Sequence, residues 1–438
     1  MTSYHKYKHT FWLLIILLLA LGLRCYGLGL KSLWIDEVGS LLTVRQSWGD
    51  MLRYIVQIDA HPPLYYVFLS IWSRIFGMSE IALRSLSVLL GCLVILGFYC
   101  LGRAWIHKDF GLLLAFLGAV SNYQVYFSQE ARPYILVLLV FCVSYALFIR
   151  WARRPNIWGL YGMMCLHLLG AYTFLYYWVP IIVLELLAFV ILLKKKQMKI
   201  LMHFFYSKVL LGLLYVPWIF VVLEKIRKIA DITEKSDTMM QWAIPNALCE
   251  YFFGIWRPED ILQYGFLLGG ILTVLIMPLF IRSWRRAGAL NFFVLMGIIG
   301  GIFLLPGKIH VFESKHMIFA AVPLLAGFGF VCYHIKSKAL RYLVVSVYVI
   351  LNLCSFLVYY DHDFQKERWR EVAGIFSKAE DLADGVIINP GFAGYALDYY
   401  YQGGLERMGV SASTTSQQLK DFISEKIGCG SWNYPDVF

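Results

Sequence analysis

The sequence predicts an α-helical polytopic membrane protein, and three observations carry that expectation. First, 60% of its 438 residues are hydrophobic and only 15% are charged, whereas soluble domains are about half apolar and a quarter charged. Second, runs long enough to cross a bilayer, which takes roughly 20 apolar residues, recur along the chain. They fall at 11–30, 80–102, 110–127, 133–149, 157–176, 178–193, 201–223, 261–281, 288–305, 315–334 and 342–360, about 11 transmembrane helices. Third, Lys and Arg gather in every second loop between those runs.

The third observation sets a direction. With Lys6 and Lys8 in the cytoplasm, the same side receives Arg103 and Lys108, then Arg150, Arg153 and Arg154, then Lys194 to Lys196 with Lys199. Arg282, Arg285 and Arg286 follow there, and then Lys336, Lys338 and Arg341. Cytoplasmic loops of membrane proteins carry this excess of positive charge. The opposite side then holds the loop 31–79, the turn 123–132, the loop 224–260, the turn 306–314 and a tail from 361 to 438.

Each element follows from local chemistry. The basic start MTSYHKYKHT runs into an apolar stretch from Phe11 toward Leu30 without a small-x-small cleavage site, so it is expected to stay as the first span. Arg24 interrupts that stretch near its outer end, where it snorkels or faces a cavity. In the loop 31–79, apolar residues at 38, 41, 42, 48, 52 and 55 follow a helical stripe broken by Arg45. Leu64 to Phe76 is apolar but too short to span. Both read as amphipathic helices lying at the interface. A re-entrant reading of the second would reverse every later loop and spoil the charge alternation. The tail suggests a small α/β unit, with a helix over 366–378, a strand over 385–389 and a helix over 391–401. Two domains are therefore expected: a transmembrane part, 1–360, and an extracytoplasmic C-terminal domain, 361–438.

Composition also narrows the function. The net charge of +11 lies largely in short loops, and no basic cluster is interleaved with exposed aromatics, so no nucleic-acid partner is expected. The nine cysteines show no CxxC spacing, and most of them fall inside apolar spans as small hydrophobes. Cys249 and Cys429 lie outside the spans, and their pairing stays open. No internal repeat is visible, which argues against many secondary transporters.

Chemistry-bearing residues concentrate on the outer side. Trp34-x-Asp36-Glu37 stands just after the first span. Asp36 is the best candidate for a catalytic base; its alternative is to cap the following helix. Glu37 orients an acceptor, binds a metal or favours the helix N-terminus. In His61-Pro62-Pro63 the prolines fix an extended entry to the next helix. His61 is a donor to a phosphate, a metal ligand or a structural histidine. If a divalent metal is used, its candidate ligands are Asp36, Glu37, Asp59 and His61. The string Ser128-Gln129-Glu130-Ala131-Arg132-Pro133-Tyr134 places Arg132 at a span boundary, where an arginine needs a partner. That partner is a lipid phosphate, which suits the planar fork, or Glu130 in a structural ion pair. Gln129, Glu130 and Tyr134 are secondary candidates, as is Arg84 just inside the second span. Lys315-His316 opens the tenth span, Lys315 holding a phosphate or snorkelling. Trp369-Arg370-Glu371 in the tail reads as a helix docking surface.

The acidic pair, the His-Pro-Pro, and Ser-x-x-Ala-Arg-x-Tyr, in that order, resemble membrane glycosyltransferases of the GT-C fold. These are the protein mannosyltransferase-like and aminoarabinose transferase-like enzymes of glycosyltransferase family 39 type. The resemblance is strongest over residues 31–150 and departs from the family at Lys315-His316, where members often carry Arg-Tyr. It implies a polyprenyl-phosphate sugar donor and inverting transfer at the extracytoplasmic face; the compact architecture and short tail suggest a bacterial plasma membrane. Asp36 would be the base, and His61, Arg132 and Lys315 the phosphate-binding residues. Protein, glycolipid and cell-wall acceptors are all open. The rival is a non-enzymatic transporter or flippase of lipid-linked sugars. A flippase needs its charges along a path open to both sides, whereas these charges gather on one.

Overall fold

A computed structural model describes residues 2–59, 61–232, 250–251, 254, 287–303, 314–361, 364, 366–380 and 385–410. The chain divides into two compact units, one of residues 1–28 and 44–364 and the other of 29–43 and 365–438.

The described part of the first unit is built from helices joined by short irregular stretches. In chain order it contains α1 (Thr2–Cys25), the end of α2 (Ile35–Arg45), α3 (Trp48–Gln57), α4 (Leu64–Phe76), α5 (Glu80–Trp105), α6 (Lys108–Val120) and α7 (Asn122–Ser128). Then come α8 (Tyr134–Arg153), α9 (Ile157–Ala171), a 3-10 turn (Leu175–Tyr177), α10 (Trp178–Lys194), α11 (Met198–Ile232) and α12 (Ala287–Phe303). A second 3-10 segment (Ser314–Ala320) leads into α13 (Ala321–His334) and α14 (Lys338–Tyr359). Among the described residues, seven helical stretches are long and apolar enough to cross a membrane, or eight if α6 and α7 form one span. The expected span 261–281 and both Cys249 and Cys429 lie outside the described residues.

Three features depart from simple spans. The stretch 110–127 is two helices, α6 and α7, bent by 65°. The break is at Ser121, whose extended backbone (φ −66°, ψ 113°) ends α6. Asn352 Oδ1 on α14 then takes the N–H of Asn122 at 2.8 Å, satisfying a donor the break exposes. The amphipathic stripe over 38–55 is also divided. Ser47 caps α3 by accepting from Asp50 N–H at 3.4 Å, so α2 and α3 are separate helices. The expected span 157–176 is helical only to Ala171: the Thr173 N–H bonds the Gly170 carbonyl three residues back, and Phe174 is extended (φ −154°, ψ 128°) before the 3-10 turn.

α5 is the spine of this unit, packing against α1, α4, α6, α7 and α8. Glycines allow its closest approach. A Cβ on Gly102 would lie 2.6 Å from the Cα of Gly111 on α6, and such small-residue contacts bring membrane helices together. α4 buries Tyr65, Tyr66, Leu69, Ser70 and Ser73 while Phe68, Ile71, Ile75 and Phe76 stay exposed. That one-sided apolar face suits a helix lying in the interface.

α9, α10 and α11 share an ionisable triad, His167 and Glu185 buried and Lys208 half-buried. His167 Nδ1 lies 2.9 Å from Glu185 Oε1, and Lys208 Nζ contacts the same oxygen. Charges within membrane segments are costly and pair with one another. Removing one partner of a buried pair typically costs about 3–5 kcal/mol. Glu185→Gln is therefore expected to lower the thermal midpoint in detergent markedly. The double change Glu185→Leu with Lys208→Met should recover most of the loss. An unchanged midpoint in the single variant would show that the triad contributes nothing to stability.

The second unit joins the segment 29–43 to the tail, a grouping chain order does not suggest. Its tail contains α15 (Trp369–Ala379), β1 (Gly385–Ile388), α16 (Gly394–Tyr400) after a 3-10 turn, and β2 (Glu406–Gly409). β1 and β2 pair in parallel, Gly385 opposite Glu406 and Ile388 opposite Gly409. Parallel neighbours need a crossover, and α16 lies within it. Ala373, Ile388, Ala393, Leu397, Tyr401 and Leu405 form its core, with Trp369, Val372 and Phe376 packed against them. The tail grips the segment 29–43 through its backbone. Arg370 donates to the carbonyls of Leu30 and Gly29, both at 3.2 Å, and its own N–H reaches Ser32 Oγ at 3.2 Å. Tyr400 Oη accepts from Leu33 N–H at 2.6 Å, and the Lys366 ammonium lies 3.5 Å from the Trp34 ring centroid.

Candidate functional site

In the first unit, residues from four separate stretches of sequence meet. Pro62 and Pro63 deliver the chain into α4, whose first N–H, on Leu64, is taken by the Tyr172 carbonyl at 3.0 Å. Just before them, Asp59 folds back. Its Oδ1 accepts the His61 backbone N–H at 2.7 Å and its Oδ2 accepts the Tyr66 hydroxyl at 2.7 Å. Arg132, from the irregular stretch between α7 and α8, reaches the same point. Its Nη1 donates to Tyr66 Oη at 3.2 Å and lies 4.0 Å from Asp59 Oδ2. The Arg132 and Asp59 side chains are 7% and 9% exposed. Such a nearly dry pair interacts far more strongly than a surface pair.

Tyr66 links the two charges. Burial pushes its phenol well above the usual range; the Arg132 charge works against this, while the Asp59 charge and hydrogen bond add to it. Tyr66 is therefore a neutral donor at any ordinary pH.

Aromatic rings extend the cluster. The His61 ring lies edge-on to Tyr134, with centroids 5.9 Å apart, and 5.3 Å from Phe174. Phe174 in turn stacks on His316 at 6.4 Å, and Tyr176 lies 4.9 Å from His316. His61, Arg132, Tyr134 and the Lys315-His316 segment thus converge, with His61 and Arg132 buried and Lys315 half-exposed. Phe174 and Tyr176 were not singled out from the sequence. The only signal was the aromatic run from Phe174 to Trp178 at a span end.

The secondary candidates divide. Tyr134 belongs to the cluster. Gln129 is buried and its amide is engaged: Nε2 reaches the carbonyls of Arg24 (2.9 Å) and Tyr26 (2.7 Å) and Tyr360 Oη (3.0 Å), while Oε1 accepts from Tyr359 Oη at 2.9 Å. Arg84 donates to the Leu28 carbonyl at 3.0 Å. Glu130 is buried in the same stretch as Arg132.

Asp36 and Glu37 stand in the second unit, in the first turn of α2. Glu37, 1% exposed, turns back so that Oε2 accepts the Trp34 N–H at 3.4 Å. This is the acidic half of a capping box. Glu367 Oε2 accepts the Ile35 N–H at 2.8 Å, so two tethers to N–H groups fix this helix start. Asp36 is half-buried beside them, at a helix end where negative charge is favoured. Among the described residues, no three His, Cys, Asp or Glu side chains gather as metal ligands.

Comparisons with known proteins come from two directions. The family model for dolichyl-phosphate-mannose-protein mannosyltransferase matches residues 60–220, a stretch that holds His61, Arg132 and Tyr134. No curated protein matches the sequence significantly. Solved structures match over nearly the whole chain. ArnT from Cupriavidus metallidurans in the apo state is 13% identical with a TM-score of 0.59, covering 98% of this chain and 90% of that one. The same protein bound to undecaprenyl phosphate has a TM-score of 0.57 at 13% identity, covering 96% and 89%. The oligosaccharyltransferase of Archaeoglobus fulgidus, tethered to an acceptor peptide, has a TM-score of 0.57 at 13% identity, covering 98% of this chain and 69% of that one.

Proposed function

We propose that this chain, a polytopic membrane protein of the GT-C fold, is a glycosyltransferase with the following donor, side and mechanism. The sugar comes from a polyprenyl phosphate and passes to an acceptor hydroxyl or amine at the extracytoplasmic face of a bacterial plasma membrane, with inversion. The observation that carries this reading is the chain of contacts joining three motifs far apart in sequence: Asp59 meets both the buried Arg132 and the His61 backbone, and Phe174 meets both the His61 and His316 rings. That ArnT binds undecaprenyl phosphate, and that the archaeal oligosaccharyltransferase is seen with a dolichol-phosphate, supports a lipid-phosphate donor.

The chemistry needs one displacement. The acceptor heteroatom attacks the anomeric carbon as the bond from that carbon to the phosphate oxygen breaks. Asp36 takes the acceptor's proton. The polyprenyl phosphate leaves with its bonding electron pair and gains one negative charge. Arg132 meets that growing charge with a planar fork, and Lys315 and His61 add donors. Arg132 is held ready by Tyr66 and Asp59, so little reorganisation is needed when the charge develops. Glu37 serves by fixing the helix start that carries Asp36.

The test is sugar transfer in proteoliposomes from a panel of polyprenyl-phosphate sugars, with and without chelator. Turnover from one donor, with an inverted anomer in the product, is the expected result. Donor movement across the bilayer without transfer would sink the enzymatic reading in favour of a flippase. The chelator arm reports whether a divalent metal is required.

A further inference from the structure

We propose that Arg24 and Gln129 are positioning residues that set Arg132 against the donor phosphate; this rests on the phosphate role given to Arg132 above. The stretch 129–133 between α7 and α8 is not helical, yet every one of its residues is buried. Irregular backbone in a membrane protein is tolerated only where other groups hold it. Arg132 hangs from that stretch, so its aim depends on what fixes the stretch.

Two side chains do so. The Arg24 guanidinium, fully buried at the end of α1, sits in the elbow between α6 and α7. Its Nη1 donates to the carbonyls of Ala20 (3.2 Å) and Ala119 (3.3 Å), and its Nη2 to that of Gly118 (3.4 Å). Its Nε donates to Ser128 Oγ at 3.1 Å. A cation is suited to the carbonyls at a helix C-terminus. One planar group thus closes the end of α6 and ties the end of α7. The next residue, Gln129, binds the carbonyls of Arg24 and Tyr26 and the hydroxyls of Tyr359 and Tyr360. α1, α7 and α14 are clasped there, three residues before Arg132. α5 leaves room for the clasp: a Cβ on Gly91 would fall 2.2 Å from Ser128 Oγ and 2.9 Å from Arg24 Nε.

A lysine at position 24 keeps the charge but cannot bridge four acceptors. The test measures binding of undecaprenyl phosphate to the detergent-solubilised full chain, with the thermal midpoint recorded for each variant. Arg24→Lys is compared with wild type, and again in an Arg132→Lys background chosen to keep binding measurable. We expect roughly tenfold weaker binding in the first comparison, typical of side chains coupled through one network, and little further loss in the second. Gln129→Met provides the same comparison should Arg24→Lys fail to fold. Equal losses in both backgrounds, or no loss in the first, would overturn the proposal, since the clasp would then not act through Arg132. If Arg132→Lys and Arg132→Ala both bind as wild type, the phosphate role itself falls and takes this inference with it. That outcome is distinct, because it appears without any change at Arg24.

Discussion

Asp36→Asn is expected to lower sugar transfer by about 10²- to 10⁴-fold, the usual contribution of a positioned general base, while undecaprenyl phosphate binding stays within about threefold of wild type. The amide keeps the size and the hydrogen-bonding reach of the carboxylate but cannot accept the acceptor's proton. The helix start does not depend on that charge alone, since Glu37 and Glu367 hold the N–H groups of Trp34 and Ile35. Folding should therefore survive, and the thermal midpoint checks it. Glu37→Gln is the control. It weakens a cap, so it is expected to lower stability by about 1 kcal/mol and to affect transfer far less than Asp36→Asn. If Asp36→Asn turns over at the wild-type rate, the base lies elsewhere. If both variants lose activity in parallel with stability, the acidic pair is structural.

Arg132→Ala is expected to weaken donor binding severely. Removing one member of a buried charge pair that also meets a ligand costs about 2–5 kcal/mol, or roughly 30- to several-thousandfold in affinity. Part of that loss is structural, because Asp59 at 4.0 Å loses its counter-charge. Arg132→Lys separates the parts. It keeps the charge near Asp59 and should preserve most of the thermal midpoint, but it lacks the fork that grips a phosphate. Weakened but still measurable binding with a retained midpoint supports the phosphate role. Retained binding in Arg132→Lys together with lost binding in Arg132→Ala would mean that charge alone matters. Wild-type binding in both would assign Arg132 to the fold.

Much of this was legible in the sequence because membrane insertion is a local, additive energy. Each apolar run reports its own cost of leaving water, so helices such as α5, α8 and α14 were located to within a few residues. The three motifs around Asp36, His61 and Arg132 were legible for a similar reason: their residue types are out of place beside apolar spans. The 65° bend at Ser121 was not legible. Hydropathy runs straight through 110–127, and the break is stabilised by Arg24 and Asn352, distant in sequence. The division of α2 from α3 had a local sign, Ser47 three residues before Asp50, but the stripe of apolar residues hid it.

What the sequence by itself determined is the class of molecule, a polytopic helical membrane protein, and the order of its acidic, His-Pro-Pro and Ala-Arg-x-Tyr motifs, whose resemblance to known enzymes implied the GT-C fold. These follow from composition, period and residue order, which the chain carries without folding. Only the tertiary structure decided who meets whom. Within the sequence Arg132 had Glu130 beside it, whereas the fold brings Asp59 and Tyr66 to its guanidinium from some 70 residues away. It likewise joins the segment 29–43 to the tail through Arg370 and Glu367. Such partners are set by the packing of helices and by the demand that each buried charge and N–H find a complement. That demand is met by whichever side chain the fold brings near, not by the neighbour in sequence.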